Sequence, residues 1–160
     1  MASDDALKEI FRTAVLETLQ EMASVEAVVR GASGDAPNEV LVGLRLGVDS
    51  GPWAVLSFPR PTAEALAQRI LVGVPLDAGM IQDCMGELLN VITGRAKTLT
   101  FGTPEHFTFT TPVHLTGKVS DLSATWSMGF ASDAGVFDLL LCPELAVRSG
   151  GLPTPPGVHS

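Results

Sequence analysis

Residues 77–100 divide into two unlike stripes. At 100° per residue, Ile81, Met85, Leu88, Leu89, Ile92, Ala96 and Leu99 fall within an arc of about 100°, the width of a core-facing helix stripe. Asp83, Gly86, Glu87, Asn90, Gly94 and Lys97 take the opposite side. A helix of this kind is held by burial of its apolar face rather than by propensity alone. The rest of the chain must therefore supply a layer to cover that face.

Two further helices and six strands are legible around it. Residues 3–24 place Leu7, Ile10, Phe11, Ala14, Leu19 and Met22 on one face, with Lys8, Arg12, Glu17 and Glu21 on the other. Ser3 can cap the first turn, and Asp4 and Asp5 suit the positive end of the helix dipole. Strand signals follow at Val25–Ala32, Val40–Leu46 and Trp53–Phe58, separated by the turn-rich stretches Gly31–Asn38 and Asp49–Gly51. Pro59-Arg60-Pro61-Thr62 opens a second helix that runs to about Gly73 and buries Leu66, Ala67, Ile70 and Leu71. Strand signals return at Phe107–Lys118, Ala124–Ala131 and Val136–Cys142. The order α-βββ-αα-βββ predicts an α+β fold, a mostly antiparallel six-stranded sheet with three helices packed on it. One core is expected, with no internal repeat. Residues 1–148 form the domain, and the Gly/Pro-rich stretch 149–160 is expected to be a flexible tail.

Composition removes several functions. Ten Lys and Arg against eighteen Asp and Glu give a net charge of −8. Nucleic-acid binding needs phosphate neutralisation by clustered cations, and no such cluster occurs. No run of 18 apolar residues exists, so no membrane-spanning helix is expected. The N-terminus lacks an apolar export core, which predicts a cytoplasmic protein. Cys84 and Cys142, far apart in sequence, fit two buried thiols rather than a redox or zinc motif. His106, His114 and His159 have no spacing with carboxylates or thiols that would make a metal site or a triad, so no metal and no cofactor of its own is expected. Ser123, Ser127 and Ser132 sit in no nucleophile elbow, and the glycines form no phosphate loop. Trp53 and Trp126 read as core or dimer-seam residues.

The polar stripe of residues 77–100 holds what remains. Glycine inside a helix is about 1 kcal/mol worse than alanine, and Gly86 and Gly94 both lie there. Close approach of another backbone or of a partner would account for them. Glu87 and Asn90, three positions apart, share a face. The carboxylate can hold a cation, and the carboxamide can fix the lone pair of a water. Phosphoryl hydrolysis asks for little beyond such positioning and charge neutralisation. From the residues alone, the same pair also reads as an ordinary solvated helix face.

Met85-Gly86-Glu87-Leu88-Leu89-Asn90-Val91-Ile92-Thr93-Gly94-Arg95-Ala96-Lys97 resembles the catalytic helix of the CheC/CheX/FliY family of chemotaxis phosphatases, whose signature is E-x-x-N within a G-E-x-x-N-x-x-x-G-x-A-K frame. Val15–Leu19, Gly51–Phe58 and Thr111–Gly117 resemble the family's first helix, a central strand and the strand after the catalytic helix. The resemblance spans roughly residues 7–141. It implies dephosphorylation of a phospho-aspartate on a CheY-like receiver domain of a response regulator. Glu87 would dock the receiver's lysine and Asn90 would orient the attacking water. Asp83, Gly86, Gly94 and Lys97 would flank the contact. The magnesium ion would belong to the receiver. The alternatives are a non-catalytic module that docks a signalling partner with the same helix, or a structural subunit of a larger assembly.

The resemblance also bears on site number. CheC-type members carry two E-x-x-N helices, whereas the first helix here offers only Glu17-x-x-Gln20, and Asp35-x-x-Asn38 lies in a turn. One site points to the CheX type, which implies a homodimer. The alternation of Phe107, Phe109, Val113 and Leu115, then Trp126, Met128 and Phe130, predicts the same thing. Its uncharged, Thr-rich reverse side lacks the charges that guard a free edge.

Overall fold

A computed structural model describes residues 4–31, 39–119 and 122–145. The elements are α1 (Asp4–Ala23), β1 (Val28–Arg30), β2 (Val40–Arg45), β3 (Trp53–Phe58), α2 (Arg60–Ile70), α3 (Ala78–Leu99), β4 (Val113–Leu115), β5 (Trp126–Ser132) and β6 (Gly135–Cys142). The expected order and class hold. The expected Ser3 cap, most of the 31–38 turn and the 149–160 tail lie outside the described residues.

All six strands join one sheet in the order β1-β5-β6-β3-β2-β4, every pair antiparallel. Side chains alternate across a sheet with period two, so register decides which residues meet the helices. Val42 pairs with Leu56, Leu56 with Leu139, and Leu139 with Met128. That apolar row underlies all three helices, and the buried faces of α1, α2 and α3 join the same core. Phe130 and Phe137 stack at 5.1 Å between ring centroids, and Phe58 lies 5.2 Å from Phe137.

The reverse face corrects the expectation of a single core. Leu41, Trp53, Val55, Val113, Leu115, Leu140, Cys142 and Leu145 form a second buried cluster there, with Val119 and Leu122 packed against it. All six residues of β3 are consequently buried. Trp53 belongs to this cluster and Trp126 to the main core, 6.3 Å from Phe11. Both cysteines are free and buried, and burial pushes the Cys142 thiol up to about 11.

The first strand shrinks to Val28–Arg30, and α2 ends at Ile70 rather than about Gly73, with Ile70 and Leu71 only partly buried; three further expectations change. The 107–118 strand shortens to Val113–Leu115, because Pro112 has no N–H to give a ladder. Residues ahead of it still follow β2: Thr110 N–H donates to the Arg45 carbonyl at 2.9 Å, and Leu46 bridges Phe109. Segment 124–131 is no sheet edge, since β5 is flanked by β6 and β1; the edges are β1 and β4. Leu99, expected in the core, is 45% exposed in the last turn of α3, where Thr100 is buried instead. Among the described residues no helix is long and apolar enough to cross a membrane.

The β5–β6 turn locks onto α2. Gly135 has φ +128°, and a Cβ there would collide with Thr62 Oγ1 and lie 3.0 Å from Thr62 Cβ. Arg69 at the far end of α2 pairs with Asp133 of the same turn at 2.9 Å. Gly135→Ala combines backbone strain with a clash against a buried residue, so it should lower stability by about 2 kcal/mol or more in urea unfolding. An unchanged midpoint would show that the hairpin does not seat as described.

Candidate functional site

Helix α3 starts at Asp77, whose carboxylate accepts from the Met80 N–H at 2.8 Å. A carboxylate cap satisfies an orphan donor and suits the helix dipole. From there the buried stripe fixes the helix's rotation. Ile81, Met85, Leu88, Leu89, Ile92 and Ala96 are buried between sheet and neighbouring helices. Arg95 ties α3 to α1 by pairing with Glu17 at 3.2 Å and also with Glu21. Glu17, half of the Glu17-x-x-Gln20 sequence, is thus engaged with α3.

With the core side fixed, Asp83, Gly86, Glu87 and Asn90 face an open cleft of about 210 Å³. Its other wall is Thr111, Pro112, Val113 and His114, the lead-in to β4 and β4 itself. Small-molecule sites usually run roughly 300–1,000 Å³, so this one fits a protruding side chain better than a whole metabolite. Among the described residues its lining holds Asp83 and Glu87 but no Lys or Arg. A phosphoryl group presented here must bring its counter-charge with it. Among the described residues no three His, Cys, Asp or Glu side chains are gathered into a metal-binding group.

The polar side chains around the cleft divide by whether they already have partners. Asp83 accepts from His114 Nε2 at 3.1 Å. The Lys97 ammonium sits 5.9 Å from the Phe109 ring centroid. Glu87 is exposed and Asn90 half-buried, and neither side chain has a hydrogen bond or ion pair among the described residues. Cys84, behind this face, has its thiol pushed up by burial and then by the Glu87 charge.

Four of the six expected site residues therefore share the cleft. Gly94 and Lys97 do not line it; Lys97 stands about 10 Å further along the axis than Asn90. Gly86 is buried rather than open, because Pro112 crosses it. An added Cβ would still rest 3.7 Å from Pro112 Cβ, an ordinary contact, and one at Gly94 would lie 4.0 Å from Phe109. Packing within the chain therefore leaves room for alanine at both positions. His114 went unread as a site residue, since its carboxylate partner is 31 positions away. The sequence signal was its place in the stretch Thr111–Gly117.

Fold and site together define an α+β domain presenting a carboxylate and a carboxamide on one helix. A family model described as chemotaxis phosphatase CheX matches residues 47–130, just over half of the chain. The chain belongs to the CheX family. No curated protein matches the sequence. Among solved structures, chemotaxis protein CheX from Vibrio vulnificus is similar at TM-score 0.71 and 24% identity, covering 89% of this chain and 99% of that one. CheX from Desulfovibrio desulfuricans is similar at 0.69 and 20%, covering 86% and 98%. A CheX–CheY–BeF3–Mg2+ complex from Borrelia burgdorferi is similar at 0.68 and 18%, covering 84% and 96%. At these identities the structures establish the fold.

The space beside Gly86 yields a test. Gly86→Ala should leave stability equal or raise it by up to ~1 kcal/mol in urea unfolding. A loss larger than that would mean that the chain's own packing demands the glycine.

Proposed function

We propose that this chain is a phosphatase of a CheY-like receiver domain, acting through Glu87 and Asn90. The observation that carries the reading is the pair itself: adjacent on α3, open to the cleft and without a hydrogen-bond or ion-pair partner among the described residues. Family membership and the fold shared with a CheX seen in complex with CheY support it.

The chemistry follows from those two side chains. Glu87 accepts from the ammonium of a receiver lysine, which fixes the docking register. Asn90 then enters the receiver's site. Its carboxamide oxygen accepts from a water, and its NH₂ can donate, so the water's lone pair points at phosphorus. Attack forms the new P–O bond as the bond to the aspartyl oxygen breaks. The receiver recovers its carboxylate, inorganic phosphate leaves, and the water's proton passes to phosphate or solvent. Charge on the phosphoryl group is neutralised by the receiver's own magnesium and lysine, consistent with a cleft whose described lining carries no Lys or Arg. The reading includes a cytoplasmic location, where a receiver partner would be met.

Asn90→Ala should fold normally, because alanine is the better helix former. Loss of water positioning should lower receiver dephosphorylation by about 100-fold or more. Phosphate release against phosphorylated receivers measures it, and full activity in the variant would refute the mechanism. Glu87→Lys should act on association instead. Reversing one partner of a close charge pair typically weakens binding by about 2–5 kcal/mol, readable by titration with a phosphoryl-mimic-loaded receiver. Unchanged affinity would remove Glu87 from the contact. A wild-type chain that binds the receiver without turning it over would instead be a docking module.

The homodimer belongs to the same reading. Strand β1 forms the sheet edge opposite the cleft, with Val28 64% and Val29 41% exposed. Pairing two copies there would cover those valines, extend the sheet and leave both clefts open. Light scattering should give about twice the monomer mass with little dependence on salt, since backbone pairing is not screened. A monomer at micromolar concentration would refute the dimer.

A further inference from the structure

We propose that His114 is a positioning residue of the docking cleft: its Nε2–H holds Asp83 to the β4 wall, leaving Glu87 as the unengaged carboxylate that receives the partner's lysine. The inference rests on the receiver-phosphatase reading and adds what selects the docking register.

The need for selection comes from the helix. Asp83 and Glu87 are four residues apart, so both carboxylates point to the same side, one turn of about 5.4 Å from each other. Both line the cleft, and Asp83 is 80% exposed. A lysine entering two free carboxylates has two seats. Only the seat at Glu87 lies within one turn of Asn90. A lysine on Asp83 would hold the partner one turn towards the start of α3, and its phosphoryl group would miss the carboxamide.

The imidazole engages one oxygen of the rival carboxylate. Its Nε2 lies 3.1 Å from Asp83 Oδ1, whereas its Nδ1 is buried with no hydrogen-bond partner among the described residues. That asymmetry assigns the tautomer. With the proton on Nε2, the ring donates to the carboxylate and buries only a lone pair. With it on Nδ1, an N–H would be buried unsatisfied and a lone pair would face an anion. A hydrogen bond to a charged acceptor is among the stronger kinds, so a lysine seated on Asp83 would have to compete with it for Oδ1. The histidine's backbone is fixed by β4, since His114 pairs with Val42 in the sheet.

Misdocked partner is non-productive complex, which gives a kinetic signature distinct from damage to the fold. His114→Ala should lower kcat and KM by the same factor and leave kcat/KM unchanged. The factor should be about twofold, the value for two seats of equal affinity. His114→Gln, whose amide can donate from near the Nε2 position, should recover most of the lost kcat. Removing the rival charge in the double variant H114A/D83N should recover it too. Nitrogen-15 NMR of the imidazole in the chain alone should show protonation at Nε2. A protonated Nδ1 with bare Nε2, an unchanged kcat in H114A, a rise in KM at constant kcat, or no recovery in the double variant would each overturn the inference while wild-type turnover persists. Absence of turnover by the wild-type chain on every receiver would sink the parent reading, and this one with it.

Discussion

The rotation of α3 about its own axis is the constraint on which the rest depends. Its buried stripe, Ile81 to Ala96, sits in a core that the apolar row of β2, β3, β6 and β5 completes from below. Turning the helix by one residue's 100° would expose the stripe and bury charges. Burying a side chain such as leucine is worth about 1.5–3 kcal/mol, so the five large residues of the stripe hold the angle far more firmly than any surface contact. The orientation of Glu87 and Asn90 is therefore set by residues that never touch a partner.

The second constraint is the crossing of 109–115 over the polar side of the same helix. Pro112 interrupts the regular ladder ahead of β4, and the chain passes Gly86 so that an added Cβ would make only ordinary contact. This gives the cleft its second wall and carries His114 to Asp83. Beneath it, the reverse-face cluster around Trp53 and Leu115 buries the sheet where β4 joins β2. A wall seated on a buried sheet is a firmer docking surface than a free loop.

Much of this was legible from residues. The two stripes of 77–100 gave the helix, its buried face and the pair Glu87/Asn90, because helical periodicity is local. The order of elements followed from the same kind of signal. What escaped depends on long-range contact. β3 reads as a plain apolar run, so nothing local says that its alternate residues serve two cores. Residues 107–112 alternate like a strand, yet the regular ladder is interrupted where Pro112 withholds a donor and only isolated contacts to β2 continue ahead of it. Segment 124–131 looked like an edge because nothing in it shows that the short strand at 28–30 will cover one side. Gly86 was expected to relieve a close contact, but the nearest atom within the chain leaves room for a Cβ. His114 had no visible partner, since a sheet was needed to bring Asp83 to it.

The central claim is that a phosphorylated receiver docks on the cleft between α3 and the β4 wall. Amide chemical-shift mapping during titration with a beryllofluoride-loaded receiver tests it most directly. Perturbations should centre on Asp83, Gly86, Glu87 and Asn90 and on Thr111–His114. Perturbations centred instead on the opposite sheet edge at Val28–Arg30, or none with any receiver, would contradict it.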